Sequence, residues 1–429
     1  MSPIDIMTLK RLATEDRELR YKLRGFDGVA RVELPDGPVD LVIGPDGVTE
    51  VRAGGDGPAD VTLRAPAEFW EGALVAVPAP GFESATAGMM SGFEIVGDKT
   101  RDVAPYLGAW GRVLTLLRDA AVGHATEVPP QDDPFPDTDT AVGRYVRYAV
   151  EGIEYRVYYE EAGSGDVPVL FMHTAGADGR EYRHVLADPE LQERYRLIAI
   201  DLPYHGRSLP PTSVRWWEQD YRPGRDLIMA WIAGFIAALE LDRPIFVGCS
   251  VGGQLASDLC AHHPDSIRGA IGVNGHHDMA HFEGLFDNDQ FRDPRLPNEY
   301  YGALNFGVTS PVAPESFRRE LYWIYRSNFP GVYAGDNDYF MFEHDLRKDG
   351  HLIDTARTPL LMLTGEYDGG ARTPEHGAAK VAEAIPGATS EIMEGLGHFA
   401  PSDDPVRFRR YLNPALDEIV RRAAAAPVG

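Results

Sequence analysis

Cysteine is almost missing from this chain: only Cys249 and Cys260 occur in 429 residues. Both lie in the apolar part of one region, so neither a disulfide framework nor a set of metal ligands can be built from them, and a reducing compartment is expected. Positive charge is also scarce. The 41 Lys and Arg face 66 Asp and Glu, a formal charge of −25, and such a surface repels phosphate backbones and anionic membranes. Nucleic acid is therefore not expected as a partner. No apolar run approaches the roughly 20 residues of a spanning helix, and the opening MSPIDIMTLKRLATEDRELR has no apolar signal region. A cytoplasmic location without stable membrane insertion is expected.

What is present is globular. The hydrophobic fraction of 44% and charged fraction of 25% exclude long disorder or a fibrous repeat. The length exceeds what one hydrophobic core usually serves, so two domains are expected. Residues 126–142, TEVPPQDDPFPDTDTAV, gather proline and aspartate with almost no apolar periodicity and read as an exposed connector.

Before that connector, residues 1–125 open with a helical stretch near Ile4 to Leu23. Alternation at Val39, Leu41 and Ile43, and again at Val61 and Leu63, predicts half-buried antiparallel strands. Ala65 to Leu74 reads as helix, Phe93 to Val96 as strand and Val103 to Leu117 as an amphipathic helix. This order, with ADVTLRAPAEFWEGAL and AGMMSGFEIVGD, resembles the sterol-carrier-protein-2-like α+β fold. The resemblance implies an apolar lipid site; a domain that only packs or forms homo-oligomers is the alternative.

Residues 143–429 change to strands alternating with helices, which predicts an α/β domain with a mainly parallel sheet covered on both faces. The strands are expected at Tyr145–Val150, Glu154–Tyr159, Val167–His173, Arg196–Asp201, Ile245–Cys249, Gly269–Val273, Pro359–Thr364 and Ser390–Met393. The aromatic-rich interval of about 276–354 interrupts this rhythm and reads as an inserted cap.

The apolar run PIFVG leads into Gly248-Cys249-Ser250-Val251-Gly252 and then into the helix-forming GQLASDLCAHH. This is G-x-S-x-G in its strand–turn–helix context, where the nucleophile sits on a strained turn that glycine flanks permit. A serine hydroxyl needs a base and an orienting carboxylate. Downstream, PLLMLTG ends in Gly365-Glu366-Tyr367-Asp368, and EIMEGLGHFAPSDDP carries His398. The order Ser, acid, His is that of the α/β-hydrolase family, which residues 143–429 resemble. The resemblance implies Ser250 as nucleophile, Asp368 as acid with Glu366 as its competitor, His398 as base, and no cofactor or metal. It also implies an oxyanion hole from the amide of Val251 and one amide of the loop His173-Thr174-Ala175-Gly176. The family usually has His-Gly here; with Thr174 in place of glycine, either Thr174 or Ala175 could present the amide, and Ala175 aligns best. Asp201-Leu202-Pro203-Tyr204-His205-Gly206-Arg207-Ser208 is a further family mark, taken as turn chemistry. Cys249 is expected to pack under the elbow.

Substrate contacts are expected from Arg180 and Tyr182, which could equally cap the helix they begin. His276 and His277 of NGHHDMAH are expected to line the pocket; a metal site with Asp278 and His281 lacks ligand geometry. Tyr322, Trp323 and Tyr339 stand for a cap aromatic set that also includes Tyr300, Tyr301, Phe306, Tyr325, Phe329, Tyr333, Phe340 and Phe342, more than half of which should simply pack the cap. The expected activity is serine hydrolysis of an ester or lactone of a hydrophobic or aromatic small molecule. Carbon–carbon hydrolysis of a diketone-like compound, thioester or amide hydrolysis, and a hydrolase-like ligand receptor are the alternatives.

Overall fold

The computed structural model describes residues 4–55, 57–123, 138–282 and 288–425. The chain divides into two compact units, residues 1–130 with 294–315 and residues 131–293 with 316–429. Residues 126–137 of the expected connector lie outside the described residues.

The first unit begins with two helices where one stretch was expected, Ile6–Glu15 and Arg17–Lys22. Asp16 separates them: it takes an extended backbone so that its carboxylate can accept the Leu19 N–H and cap the second helix. Five strands follow, β1 (Gly28–Leu34), β2 (Gly37–Gly44), β3 (Gly47–Ala53), β4 (Val61–Arg64) and β5 (Glu94–Gly97), in the order β3-β2-β1-β4-β5. Alternation locates β2 and β4 correctly but predicts antiparallel pairing for both, and β4 runs parallel to β1. The chain leaves the β3 edge and returns beside β1 by a crossover, so no hairpin reverses its direction. Strands β1 and β3 were not anticipated.

Apolar side chains from this sheet and from the helices Ala67–Ala73 and Leu107–Val122 form one core. Its centre is aromatic: Phe69 packs on Trp70 and Phe93, and Trp110 packs edge-on against Phe26 at 5.2 Å between ring centres. The Arg118 guanidinium spans the interior, donating to the carbonyls of Ala73 and Glu83 at 2.8 Å each. The helix Asn298–Phe306 packs on Leu107–Val122, and Ser84 donates its hydroxyl to the Gly307 carbonyl. The interval 276–354, read as one cap, is thus divided, since 294–315 falls in the first unit.

The second unit holds eight strands: β6 (Val142–Val150), β7 (Ile153–Ala162), β8 (Val167–Met172), β9 (Tyr195–Ile200), β10 (Ile245–Cys249), β11 (Gly269–Val273), β12 (Leu360–Gly365) and β13 (Thr389–Met393). Their order is β13-β12-β11-β10-β8-β9-β7-β6. Pairing is parallel from β13 to β9 and antiparallel at β9–β7 and β7–β6. Apolar runs without alternation are what a sheet covered on both faces requires. Accordingly, Leu170 and Met172 of β8 enter one core with Trp231 and Phe246, while Val169 and Phe171 enter another with Val247 and Phe408. Neighbouring carboxyl ends of β8, β10, β11 and β12 gather the loops that follow them along one edge, the usual position of a site in such sheets.

Trp110 is fully buried and donates its indole N–H to the Asp102 carbonyl at 3.0 Å. Trp110→Ala is expected to lower the stability of the first unit by about 3–5 kcal/mol, read as a fall in its chemical-denaturation midpoint by tryptophan-independent circular dichroism.

Candidate active site

Ser250 sits between β10 and the helix Val251–His262 with φ 57° and ψ −111°, backbone angles that a non-glycine residue adopts only under constraint. The constraint is close packing. A Cβ on Gly248 would lie 2.2 Å from the Gly252 carbonyl oxygen, and one on Gly252 would lie 2.9 Å from that of Met172. Only glycine at both flanks lets strand and helix approach this closely. The turn is pinned by Ser250 N–H donating to the Val273 carbonyl at 2.8 Å and by Gln254 N–H donating to the Ser250 carbonyl at 3.0 Å.

Asp368, on the loop after β12, accepts from His398 Nδ1 at 2.6 Å through Oδ2, while its Oδ1 accepts the Ala371 N–H at 2.9 Å. Burial opposes the charge on Asp368, but the facing imidazole and these hydrogen bonds hold its carboxyl below the usual value. Burial likewise opposes protonation of His398, and Asp368 overrides it to raise the imidazole above its ordinary value. His398 Nε2 makes no hydrogen bond among the described residues. The competing carboxylate, Glu366, is occupied elsewhere: its Oε2 accepts the Gly395 N–H at 2.8 Å.

The loop carrying His398 is fixed from the neighbouring strands. Asn274, with φ 52° at the end of β11, donates to the carbonyls of Gly397 and His398 at 3.1 and 2.6 Å and accepts the Gly365 N–H at 2.7 Å. Asp403 accepts the Gly397 N–H at 2.8 Å. Cys249 lies beneath the elbow, its thiol 3.2 Å from the His398 carbonyl, so Ser250 and His398 are joined through the residue that precedes the serine. Asn274 escaped the sequence reading, although an Asn-Gly pair directly after a strand marks a backbone able to take positive φ.

On the loop after β8, hydrogen-bond accounting separates the two expected amides. Thr174 N–H is committed to Glu181 Oε2 at 2.8 Å, Gly176 N–H to Asp336 Oδ2 at 2.8 Å and Ala177 N–H to the Thr174 carbonyl at 3.2 Å. Thr174 is therefore corrected as a hole donor, because its N–H is already spent on a buried carboxylate. Ala175 N–H has no partner among the described residues, and Val251, as first residue of its helix, has no intrahelical acceptor.

The residues expected at the substrate divide sharply. Arg180 is held by Asp178 at 2.6 Å and Ser327 at 2.8 Å; Tyr182 is buried beneath Phe171 and donates to the Met172 carbonyl at 3.1 Å. His277 pairs with Asp278 at 2.9 Å, and Tyr339 donates to Asp258 at 2.7 Å. Each of these four has a structural partner within the protein. Trp323 is 63% exposed, and Tyr322 is buried. His276 differs: it is 2% exposed, both ring nitrogens lack partners among the described residues, and burial pushes its imidazole down to about 3. It lies edge-on to Phe340 at 5.4 Å, and its Nε2 faces the space beside Gly370, two residues after Asp368. Of the cap aromatics, Tyr325 packs on Phe399 at 5.5 Å and Tyr333 closes over Gly176. The expected turn Asp201–Ser208 is confirmed as turn chemistry: Asp201 accepts the N–H groups of Gly179 and Arg207 at 2.8 and 2.7 Å.

A family model described as alpha/beta hydrolase fold matches residues 167–324. The chain is also similar in structure to a thermophilic esterase from Thermogutta terrifontis, with a TM-score of 0.54 and 19% identity over 64% of this chain and 99% of that one. The C-terminal part of the chain has the alpha/beta hydrolase fold. Over 291 residues it is 25% identical to the 2-hydroxy-6-oxononadienedioate/2-hydroxy-6-oxononatrienedioate hydrolase of Burkholderia vietnamiensis, covering 64% of this chain and 95% of that protein. Over 146 residues it is 30% identical to the 2-hydroxy-6-oxo-2,4-heptadienoate hydrolase of Pseudomonas putida, covering 32% of this chain and 48% of that protein. Among the described residues no helix is long and apolar enough to cross a membrane.

Asn274→Ala would leave one buried N–H and two carbonyls without their partner. A loss of about 1–3 kcal/mol is expected, measured by chemical denaturation, together with slower modification of Ser250 by a fluorophosphonate, since the His398 loop loses its tie to β11.

Proposed function

We propose that the protein is a serine hydrolase that cleaves an uncharged ester or lactone of a hydrophobic or aromatic small molecule. The observation that carries this reading is the Asp368–His398 bond of 2.6 Å on loops tied to the strained Ser250 elbow. In the first step Ser250 Oγ attacks the carbonyl carbon while His398 Nε2 takes its proton; Asp368 holds the Nδ1–H tautomer and stabilises the imidazolium. The carbonyl oxygen becomes an oxyanion received by the N–H groups of Val251 and Ala175. Collapse breaks the carbon–oxygen bond, and His398 returns the proton to the departing alcohol. Water, deprotonated by the same nitrogen, then attacks the acyl-enzyme, releasing the acid and restoring Ser250.

Preference for an uncharged substrate rests on the polar groups around the elbow. Glu181 is a buried carboxylate beside the oxyanion loop, and His276 is kept neutral by burial, so a second carboxylate on the substrate would meet no favourable charge from either. His276 can give one hydrogen bond and accept one, which suits a hydroxyl or carbonyl on the substrate. The second reading, carbon–carbon hydrolysis of a diketone-like compound, is favoured by the similarity to the 2-hydroxy-6-oxononadienedioate/2-hydroxy-6-oxononatrienedioate hydrolase of Burkholderia vietnamiensis. There Ser250 would add to a ketone and the leaving fragment would be protonated on carbon. For the first unit, the sterol-carrier-like reading is supported by its order of helix, strands, helix, strand and helix. Packed rings of Phe69, Trp70 and Phe93 fill part of the core in which a lipid would lie.

Incubation with a fluorophosphonate is expected to add one adduct, at Ser250, and Ser250→Ala is expected to abolish both the adduct and turnover. Aryl esters, lactones and vinylogous diketones, screened in parallel, separate the two readings; activity that survives Ser250→Ala would falsify both. Because His398 must be neutral to accept a proton and Asp368 raises it, kcat/KM is expected to fall as pH drops through a midpoint above the ordinary imidazole value of about 6.5. Asp368→Asn should move that midpoint down and reduce kcat by roughly 10⁴. An acid limb unmoved by this substitution would assign the titration to another group.

A further inference from the structure

Thr174 stands where the family pattern has glycine, and the chemistry of the elbow does not by itself account for it. The structure gives this residue an unusual grip. Glu181 accepts the Thr174 N–H through Oε2 at 2.8 Å and meets the Thr174 hydroxyl through Oε1 at 2.6 Å. The same hydroxyl lies 2.6 Å from the Tyr325 phenol. Thr174, Glu181 and Tyr325 are all buried, and Tyr325 belongs to the helix Glu315–Ser327, far from the loop in sequence. One carboxylate thus holds both the main chain and the side chain of a single residue.

The consequence concerns the next peptide. The Thr174 carbonyl lies 2.8 Å from His173 Nδ1 and accepts the Ala177 N–H. Since a trans peptide is planar with N–H opposite C=O, anchoring that oxygen aims the Ala175 N–H the other way. Asp336 fixes the following N–H, at Gly176. Glu181 fixes the preceding one. The Ala175 amide is held between two anchored neighbours, and glycine at 174 would lose the hydroxyl half of Glu181's grip.

A buried carboxylate is costly unless its hydrogen bonds compensate. Burial, with Asp178 adding to it, pushes Glu181 up to about 7 against the hydrogen bonds from Thr174. Charged acceptors make hydrogen bonds roughly twice as strong as neutral ones, so a carboxylate holds an amide orientation more firmly than a carboxamide in its place.

We infer that Glu181 is a positioning residue that aims the Ala175 N–H at the developing oxyanion, acting through Thr174, whose hydroxyl it shares with Tyr325. The inference rests on the serine-hydrolase reading above, in which Ala175 is the second oxyanion donor. It explains why this loop departs from His-Gly without losing its amide.

Fluorophosphonate inactivation tests it without knowledge of the natural substrate. Ser250 Oγ bonds to phosphorus, fluoride leaves, His398 receives the serine proton, and the phosphoryl oxygen occupies the oxyanion position. Loss of a whole oxyanion donor costs about 10²–10³ in rate, so a misaimed one should cost about tenfold. Thr174→Val and Glu181→Gln are each expected to lower the inactivation rate constant about tenfold, with the inhibitor's binding constant changed less than twofold. Thr174→Ser, which keeps the hydroxyl, should restore it. If Thr174→Val does not fold, Glu181→Gln and Tyr325→Phe decide the matter, the latter expected to slow inactivation by a smaller factor. Rates within twofold of wild type in the folded variants, or a weakened binding constant with an unchanged rate, overturn the inference while labelling at Ser250 leaves the hydrolase reading standing. Absence of label at Ser250 in the wild-type protein overturns the hydrolase reading itself.

Discussion

The close approach of β10 to the helix Val251–His262 is the constraint from which the rest of the site follows. With no side chain at Gly248 and Gly252, the backbone turns within one residue, and Ser250 is carried into positive φ. Such a conformation costs of order 1–3 kcal/mol, and it persists because hydrogen bonds to Val273 and Gln254 and the buried strands on either side determine it. The same turn starts the helix at Val251, leaving its N–H without an intrahelical acceptor beside the serine. The position of Ser250 and the N–H beside it are therefore two outcomes of one packing contact.

Around the turn, hydrogen bonds decide which groups remain available. Asn274 binds β11 to the loops after β12 and β13, and Asp403 fixes the glycine before His398. Asp336 holds Gly176 and also pairs with His205 at 2.8 Å. Many groups around the turn are engaged by the protein; among the described residues, Ala175 N–H, Val251 N–H, His398 Nε2 and the ring nitrogens of His276 and His281 have no hydrogen-bond partner.

Much of this was legible in the sequence. Unbroken apolar runs such as PVLFM and IFVGC located the central strands, because a sheet buried on both faces has no polar side to alternate with. Ser250, Asp368 and His398 were legible because each follows a strand in a fixed order. Which of Thr174 and Ala175 keeps a free N–H was not, since it depends on Glu181, Tyr325 and Asp336, two of them more than a hundred residues away. Nor was the role of the cap aromatics: a ring's position in sequence gives helical periodicity, not the identity of its neighbour, so Tyr339 turned to Asp258 and Trp323 to solvent. Residues 294–315 fell in the first unit for the same reason, and the parallel β1–β4 pair depended on a crossover that local alternation does not encode.

Two buried carboxylates near His398 show how environment divides otherwise similar groups. Asp368 is hydrogen-bonded to the His398 imidazole and is held below its ordinary value, whereas Glu181 is hydrogen-bonded to a hydroxyl and an N–H, feels His398 only through space, and is pushed up to about 7. Burial acts on both in the same direction; what differs is the charge available to answer it. A carboxylate paired with an imidazole is suited to stabilise that ring when it becomes cationic. One hydrogen-bonded to neutral dipoles is suited to fixing their direction. The sequence places the first after a strand, at the end of the turn GEYD, and the second in the first helical turn after the loop that follows β8, where its backbone carbonyl also accepts the Ser402 hydroxyl at 3.1 Å. Asp368 thus bonds the imidazole directly, while Glu181 holds the loop after β8 and adds to the field that raises His398, and their opposite shifts follow from the partners each has.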